Sequence, residues 1–269
     1  MNRQFTFCIA HKLPLVPSHL YDCAIGLGDY WPERGVHISE LDPYWHQMRK
    51  LAYGAAGSYA VRNAVQKNAC RTELTGIFTY RKILVRSANA VSLQSAREVS
   101  TTTCFSTQLA DVQPQDDQQY LVAYPMNFPQ SVTLHYSEWH HVIDLFEYIS
   151  IATEFGILDY NEVNKFVQQT TLIPGGCELG IYPTIWLIST LEKLSLVGRE
   201  FLSRHGTRIQ TYDKYQVRSL GFLSERLGSY LLFKELHSRF LDGIPPSIFG
   251  EMYLIGPEGT CYSPGVADD

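Results

Sequence analysis

Three short runs rich in β-branched and aromatic residues, each separated from the next by stretches of helical spacing, set the frame for this chain. Phe5-Thr6-Phe7-Cys8-Ile9-Ala10, Leu74-Thr75-Gly76-Ile77-Phe78-Thr79-Tyr80 and Tyr120-Leu121-Val122-Ala123-Tyr124 read as buried strands. Asp42-Pro43 is a helix start, because Asp caps free amides and Pro suits the first helical position. The helix that follows is expected over 43–65, and its small residues (Ala52, Gly54, Ala55, Ala56, Gly57) imply close packing. Further helices are expected over 140–154, 159–167 and 181–201, the last buried and preceded by a strand. The clearest helix runs from 212 to 242. Leu220, Leu223, Leu227 and Leu231 form one apolar stripe, and Tyr215, Phe222 and Phe233 form a second flank. Arg218 and Glu225 share the narrow polar strip between them, so they either form a satisfied ion pair or line a site. Residues 87–119 lose periodicity and read largely as loop, and the chain after Pro257 reads as a frayed tail. Strands alternating with helices give an α/β layered domain over 1–256, with 257–269 as a flexible tail.

Composition removes several function classes. At 269 residues the chain is long enough to bury a core without staples. Twenty-two Lys and Arg against 27 Asp and Glu give a net charge of −5, with no basic block, so a nucleic-acid footprint is not expected. No apolar run approaches the ~18 residues of a membrane span. The apolar stretch 5–10 is too short for a signal peptide, so a cytoplasmic protein is expected. Six scattered cysteines without a Cys-x-x-Cys pair read as reduced, buried thiols. No zinc spacing is present, and Gly26-Leu27-Gly28 lacks the rest of a dinucleotide fingerprint.

Several segments, in order, carry a resemblance. Phe7-Cys8-Ile9-Ala10-His11-Lys12 is similar to the opening strand of a bacterial family of polysaccharide-biosynthesis glycosyltransferases, long filed as a domain of unknown function. Ile38-Ser39-Glu40 with Asp42-Pro43, Thr75-Gly76-Ile77-Phe78-Thr79-Tyr80-Arg81-Lys82 and His140-His141-Val142-Ile143-Asp144-Leu145 resemble its later segments. Tyr212-Asp213, Tyr215-Gln216 and Gly221-Phe222-Leu223-Ser224-Glu225-Arg226-Leu227 resemble its signature helix, and the apolar stretch 181–191 falls where that family has its penultimate helix. Thr79 stands where the family usually has His, and Gln47 where it usually has Glu. The resemblance implies a single GT-A-like nucleotide-sugar-binding domain, a mixed sheet flanked by helices. It implies transfer of a sugar from a nucleotide sugar, UDP-linked among the options, to a glycan or lipid-linked glycan acceptor in capsule, exopolysaccharide or lipopolysaccharide assembly. It allows peripheral association with the inner membrane or with other transferases.

Such a transfer needs the departing diphosphate neutralised and the acceptor hydroxyl deprotonated. No Asp-x-Asp turn stands at a strand end, Asp116-Asp117 lying in a Gln-rich stretch, so no metal cofactor is expected. The second strand ends instead in Tyr80-Arg81-Lys82, whose cations are expected to stabilise the leaving group. The alternative is a solvated basic pair. Base candidates are Asp144, Glu138, His140 and His141. On one continuous helix His140 and Asp144 lie four apart, so Asp144 orients His140 or acts itself. The expected catalytic residues are thus Asp144, His140 and Arg81. Those expected to hold the donor are His11 and Lys12, which close the first strand where ligands of open α/β sheets bind, together with Tyr80, Arg81, Lys82, Arg218 and Glu225. Two rival readings stand beside this one. The first is a non-catalytic sugar- or nucleotide-binding module. The second is a metal-dependent hydrolase built on His135, His140, His141 and Asp144.

Overall fold

The computed structural model describes residues 3–67, 72–86, 96–115 and 118–256. Its first half is parallel. Strands β1 (Gln4–Ala10), β2 (Cys23–Gly26) and β3 (Gly35–His37) are followed by helices α1 (Ile38–Leu41), α2 (Pro43–Gln47), α3 (Arg49–Ala52) and α4 (Gly54–Lys67). The helices return the chain to β4 (Leu74–Thr79) on the far side of β1, giving the order β3-β2-β1-β4 with every pairing parallel. The first five residues of β4 are all buried, as helix-covered parallel strands require. Helix α4 lies so close to β1 that a Cβ on Gly57 would stand 2.3 Å from Ile9, which explains the small residues at its start.

The second half contains β5 (Lys82–Arg86), β6 (Ala96–Ser100), α5 (Thr101–Phe105), β7 (Leu121–Ala123), β8 (Met126–Asn127), α6 (Val132–Trp139), α7 (Val142–Glu154) and α8 (Tyr160–Gln168). There follow β9 (Thr171–Leu172), β10 (Gly180–Pro183), α9 (Thr184–Ile209), a 3-10 turn at Gln216–Arg218, α10 (Ser219–Arg239) and β11 (Phe249–Gly256). Strand β10 runs antiparallel to both β4 and β7, β7 pairs with β11, β11 with β5, and β5 returns to β4 at Thr79 and Lys82. These five strands close into a small ring. The α/β class and mixed sheet match the sequence reading, but the antiparallel half curls up rather than lying flat. Helix α9, about 39 Å long at 1.5 Å per residue, packs against α4, α7 and α10.

Several element boundaries need correction. The helix expected over 43–65 is broken into α2, α3 and α4. Asp42 does cap α2, accepting from the Trp45 amide at 3.1 Å, and Arg199 also grips its carboxylate. The second break falls at Tyr53, whose φ of +46° is a left-handed conformation that costs a non-glycine residue about 1–3 kcal/mol. The helix expected from residue 140 starts at Val142, because His140 is extended and closes α6 while His141 caps α7. His140 and Asp144 therefore do not share a helix face. The buried helix expected over 181–201 divides differently: 180–183 form β10, and α9 runs on to 209. The last helix begins at 219, not 212. Strand β6 and helix α5 occupy part of the stretch read as loop. The tail 257–269 and Asp116-Asp117 lie outside the described residues.

Candidate active site

A cleft of about 230 Å³ opens beyond the carboxyl end of β4. Its walls come from five places: Tyr53, Gly54 and Ala55 at the α3–α4 break; Thr79 and Lys82 at the β4–β5 hairpin; Pro174, Gly175, Glu178 and Leu179 in the loop before β10; Arg218, Gly221, Phe222 and Glu225 on the last helix and its leading turn; and Met252 on β11. In a parallel sheet this end, next to the point where strand order reverses about β1, is where ligands bind.

Three residues expected to hold the donor meet in this cleft: Lys82, Arg218 and Glu225. Arg218 and Glu225 do not form the ion pair that the sequence allowed. The Arg218 guanidinium instead lies over the rings of Tyr53, Phe222 and Tyr215, at 4.9, 5.5 and 6.0 Å, and its Nε is buried without a hydrogen-bond acceptor. This cation is held by aromatic faces and keeps its donor fork for another partner. The strained backbone of Tyr53 sets one of those rings in place. Glu225 Oε1 accepts the Gly175 amide at 2.7 Å. Burial holds the Lys82 ammonium below its ordinary value, Glu225 opposing the shift.

The loop before β10 brings a residue that sequence reading missed. Gly175 and Gly176 both take positive φ, and Gly176 sits so tightly on α10 that a Cβ there would stand 2.6 Å from the Glu225 carbonyl. The tight turn delivers Glu178 to the cleft beside Glu225. Glu178 Oε1 has no accessible surface and no hydrogen-bond partner among the described residues. Burial pushes this carboxyl up to about 8; Ser224 and Lys82 oppose the rise and Glu225 adds to it. The available signal was an acid between apolar Cys177 and Leu179, directly after Pro174-Gly175-Gly176 and before a strand.

The fold is one already seen in a glycosyltransferase. The chain matches the apo structure of WbbM, a bifunctional glycosyltransferase, with a TM-score of 0.68 and 13% identity, over 98% of this chain and 48% of that one. It thus spans about half the length of WbbM, and at this identity the likeness is one of fold. No protein-family model and no curated protein matches the chain.

On this WbbM-like fold the other expected site residues stand outside the cleft. His11, Lys12, Tyr80 and Arg81 gather at the ends of β1 and β4. There the His11 ring meets Tyr80 edge-on at 4.6 Å, and Lys12 and Arg81 lie 5.1 and 5.5 Å from the same ring. Thr79 lines the cleft while the next residue, Tyr80, packs with this second cluster, so the two sets share one strand end. Asp144 is fully buried; its Oδ1 accepts from Arg208 at 2.6 Å and from the Tyr212 hydroxyl at 3.1 Å. That carboxylate anchors α7 to α9 and does not line the cleft. His140 stacks on Phe222 at 4.2 Å and lies 5.6 Å from Tyr215, outside the residues that line the cleft, and burial together with Arg226 lowers its imidazole to about 4. The exposed Glu138 accepts from Gln130. His135 stacks on Phe128 and His141 packs on Tyr212, so the three imidazoles of the supposed metal cluster each have a different ring partner. Among the described residues, no three His, Cys, Asp or Glu side chains are grouped to hold a metal, and no helix is long and apolar enough to cross a membrane.

Proposed function

We propose that the cleft binds a nucleotide sugar and transfers its glycosyl group to a hydroxyl acceptor, in keeping with the resemblance to polysaccharide-assembly transferases. The observation that carries this reading is Arg218: a cation stacked on three rings, with no carboxylate paired to it among the described residues, facing a cleft at the carboxyl end of a parallel sheet. Arginine in this state offers a planar fork suited to a phosphate, and Lys82 adds a second charge across the cleft. Together they would meet the charge that builds on a departing diphosphate. Glu225, held by the Gly175 amide, is suited to accept hydrogen bonds from sugar hydroxyls. Arg81 and Lys12 contribute positive potential at the neighbouring strand end, beside His11. The GT-A-like label follows from the same reading.

Calorimetric titration of UDP, GDP, CMP and dTDP tests it. One of the four is expected to bind, and Arg218→Ala to weaken that binding roughly 10- to 100-fold, the worth of a hydrogen bond to a charged group. Binding should persist with excess EDTA. Silence from all four nucleotides would end the transferase reading and favour a sugar-binding module.

A further inference from the structure

The expected bases are not among the residues lining the cleft: Asp144 is held under Arg208, and His140 packs against the outer ring cluster of Phe222 and Tyr215. Two carboxylates line it, and their surroundings differ. Glu225 has one oxygen committed to the Gly175 amide, so that oxygen is tied to the loop before β10. Glu178 has an inward oxygen shut off from solvent and faced by the Ser224 hydroxyl with no cation beside it, so its charge is poorly compensated. Behind it stand the buried hydroxyls of Ser224, Tyr59 and Tyr148, of which Ser224 faces the Glu178 carboxyl. We propose that Glu178 takes the proton from the acceptor hydroxyl; the inference rests on the glycosyl-transfer reading of the cleft.

In that step the acceptor oxygen bonds to the anomeric carbon as the bond from that carbon to the diphosphate oxygen breaks. The electron pair leaves on the diphosphate, opposite Lys82 and Arg218, and the hydroxyl proton passes to the Glu178 carboxylate. A base is most effective when its pKa lies near the working pH, and a carboxyl raised to about 8 by burial is closer to that condition than an ordinary one. The groups linked to its titration come from every element around it. They are Ser224 and Glu225 on α10 and Lys82 on β5; Tyr59 on α4, Tyr148 on α7, and Cys177 and Tyr182 on its own segment feel its charge in turn.

The test measures release of nucleoside diphosphate from UDP-glucose, UDP-galactose, GDP-mannose and dTDP-rhamnose, with water as acceptor, together with nucleotide affinity. Wild-type rate should climb with pH through about 8. Glu178→Gln, nearly the shape of the protonated acid, should lower the rate roughly 10²- to 10⁴-fold and remove that limb, while leaving nucleotide affinity within about threefold, since one neutral group replaces another. Glu178→Asp, which keeps the acid on a shorter arm, should fall between. A Glu178→Gln enzyme that turns over like wild type overturns the assignment and leaves the transferase reading standing. Absence of nucleotide binding in the wild type removes both. An independent check is the infrared band of a protonated carboxyl, present at pH 7, lost by pH 9 and missing from Glu178→Gln. Its absence in the wild type at pH 7 would also overturn the assignment.

Discussion

Two buried acids, Glu178 in the cleft and Asp144 between α7 and α9, meet opposite fates in the same molecule. Asp144 is sealed from solvent, and an arginine and a tyrosine share its Oδ1. Burial still pushes its carboxyl up, with the Arg208 and Tyr212 hydrogen bonds pulling the other way. Arg208 also grips Glu147, and those carboxylates hold its guanidinium firmly charged. Glu178 has no such clamp: the Ser224 hydroxyl and, at a distance, Lys82 oppose its rise, and Glu225 repels it. A carboxylate tied to a cation through one oxygen serves the fold, although Asp144 Oδ2 is buried without a partner. One that lacks such a cation stores an unfavourable interaction that chemistry can use.

The largest expected difference between the two regions is in how stability responds to pH. Glu178 titrates near 8 in the folded chain and near 4.5 when unfolded, so the folded state holds the extra proton between those values. Its contribution is therefore fully present below pH 4.5 and is lost as pH rises through about 8, a fall of at most about 5 kcal/mol. Urea melts from pH 5 to 9 should show wild type weakening over this window, and Glu178→Gln should flatten the curve. An unchanged slope in that variant would break the contrast drawn above.

Next in size is the clamp. Arg208→Ala leaves Asp144 buried without its cation and should cost about 3 kcal/mol, the lower end for a broken buried pair, because the Arg208 side chain is 36% exposed. Thermal melts of Arg208→Ala beside Glu178→Gln at pH 7 measure the difference directly. The first should melt well below wild type and the second at or above it, since Gln has no carboxyl to ionise on unfolding.

How much of this was legible beforehand follows from where each signal sits along the chain. The three core strands, the Asp42 cap and the Leu220–Leu231 stripe are written in adjacent or periodic residues, and the structure forms them. The closing of β4, β5, β11, β7 and β10 was not readable. It depends on pairings such as Tyr253 with Ile83 and Gly180 with Val122, far apart in sequence and in strands of only three to eight residues. Lys82, Arg218 and Glu225 were singled out from resemblance and from a polar strip, and they share one cleft. Asp144 and His140 looked like an i, i+4 pair only because nothing local marks the break at His141. Glu178 was missed because its environment comes from α10 and β5, which its neighbours in sequence do not reveal.

The smallest expected effect reverses the sign of the first. Glu147 sits beside Asp144 on the same clamp, and its hydrogen bond from Arg208 holds its carboxyl below the usual range, with His205 adding to the pull. A carboxyl depressed by folding stabilises the protein above its unfolded value near 4.5, and that contribution is lost as pH falls through the lower folded value. Glu147 is half-buried and solvent screens its pair, so Glu147→Gln should cost only about 0.5–1 kcal/mol at pH 7. Arg208 retains Asp144 as a partner in this variant, which is why the loss stays well short of that in Arg208→Ala. Urea melts at pH 7 and pH 3.5 read the effect: wild type and Glu147→Gln should differ at the higher pH and converge at the lower. A difference that persists undiminished at pH 3.5 would show that Glu147 acts through packing and not through its charge. The clamp would then no longer be the electrostatic counterpart of the cleft.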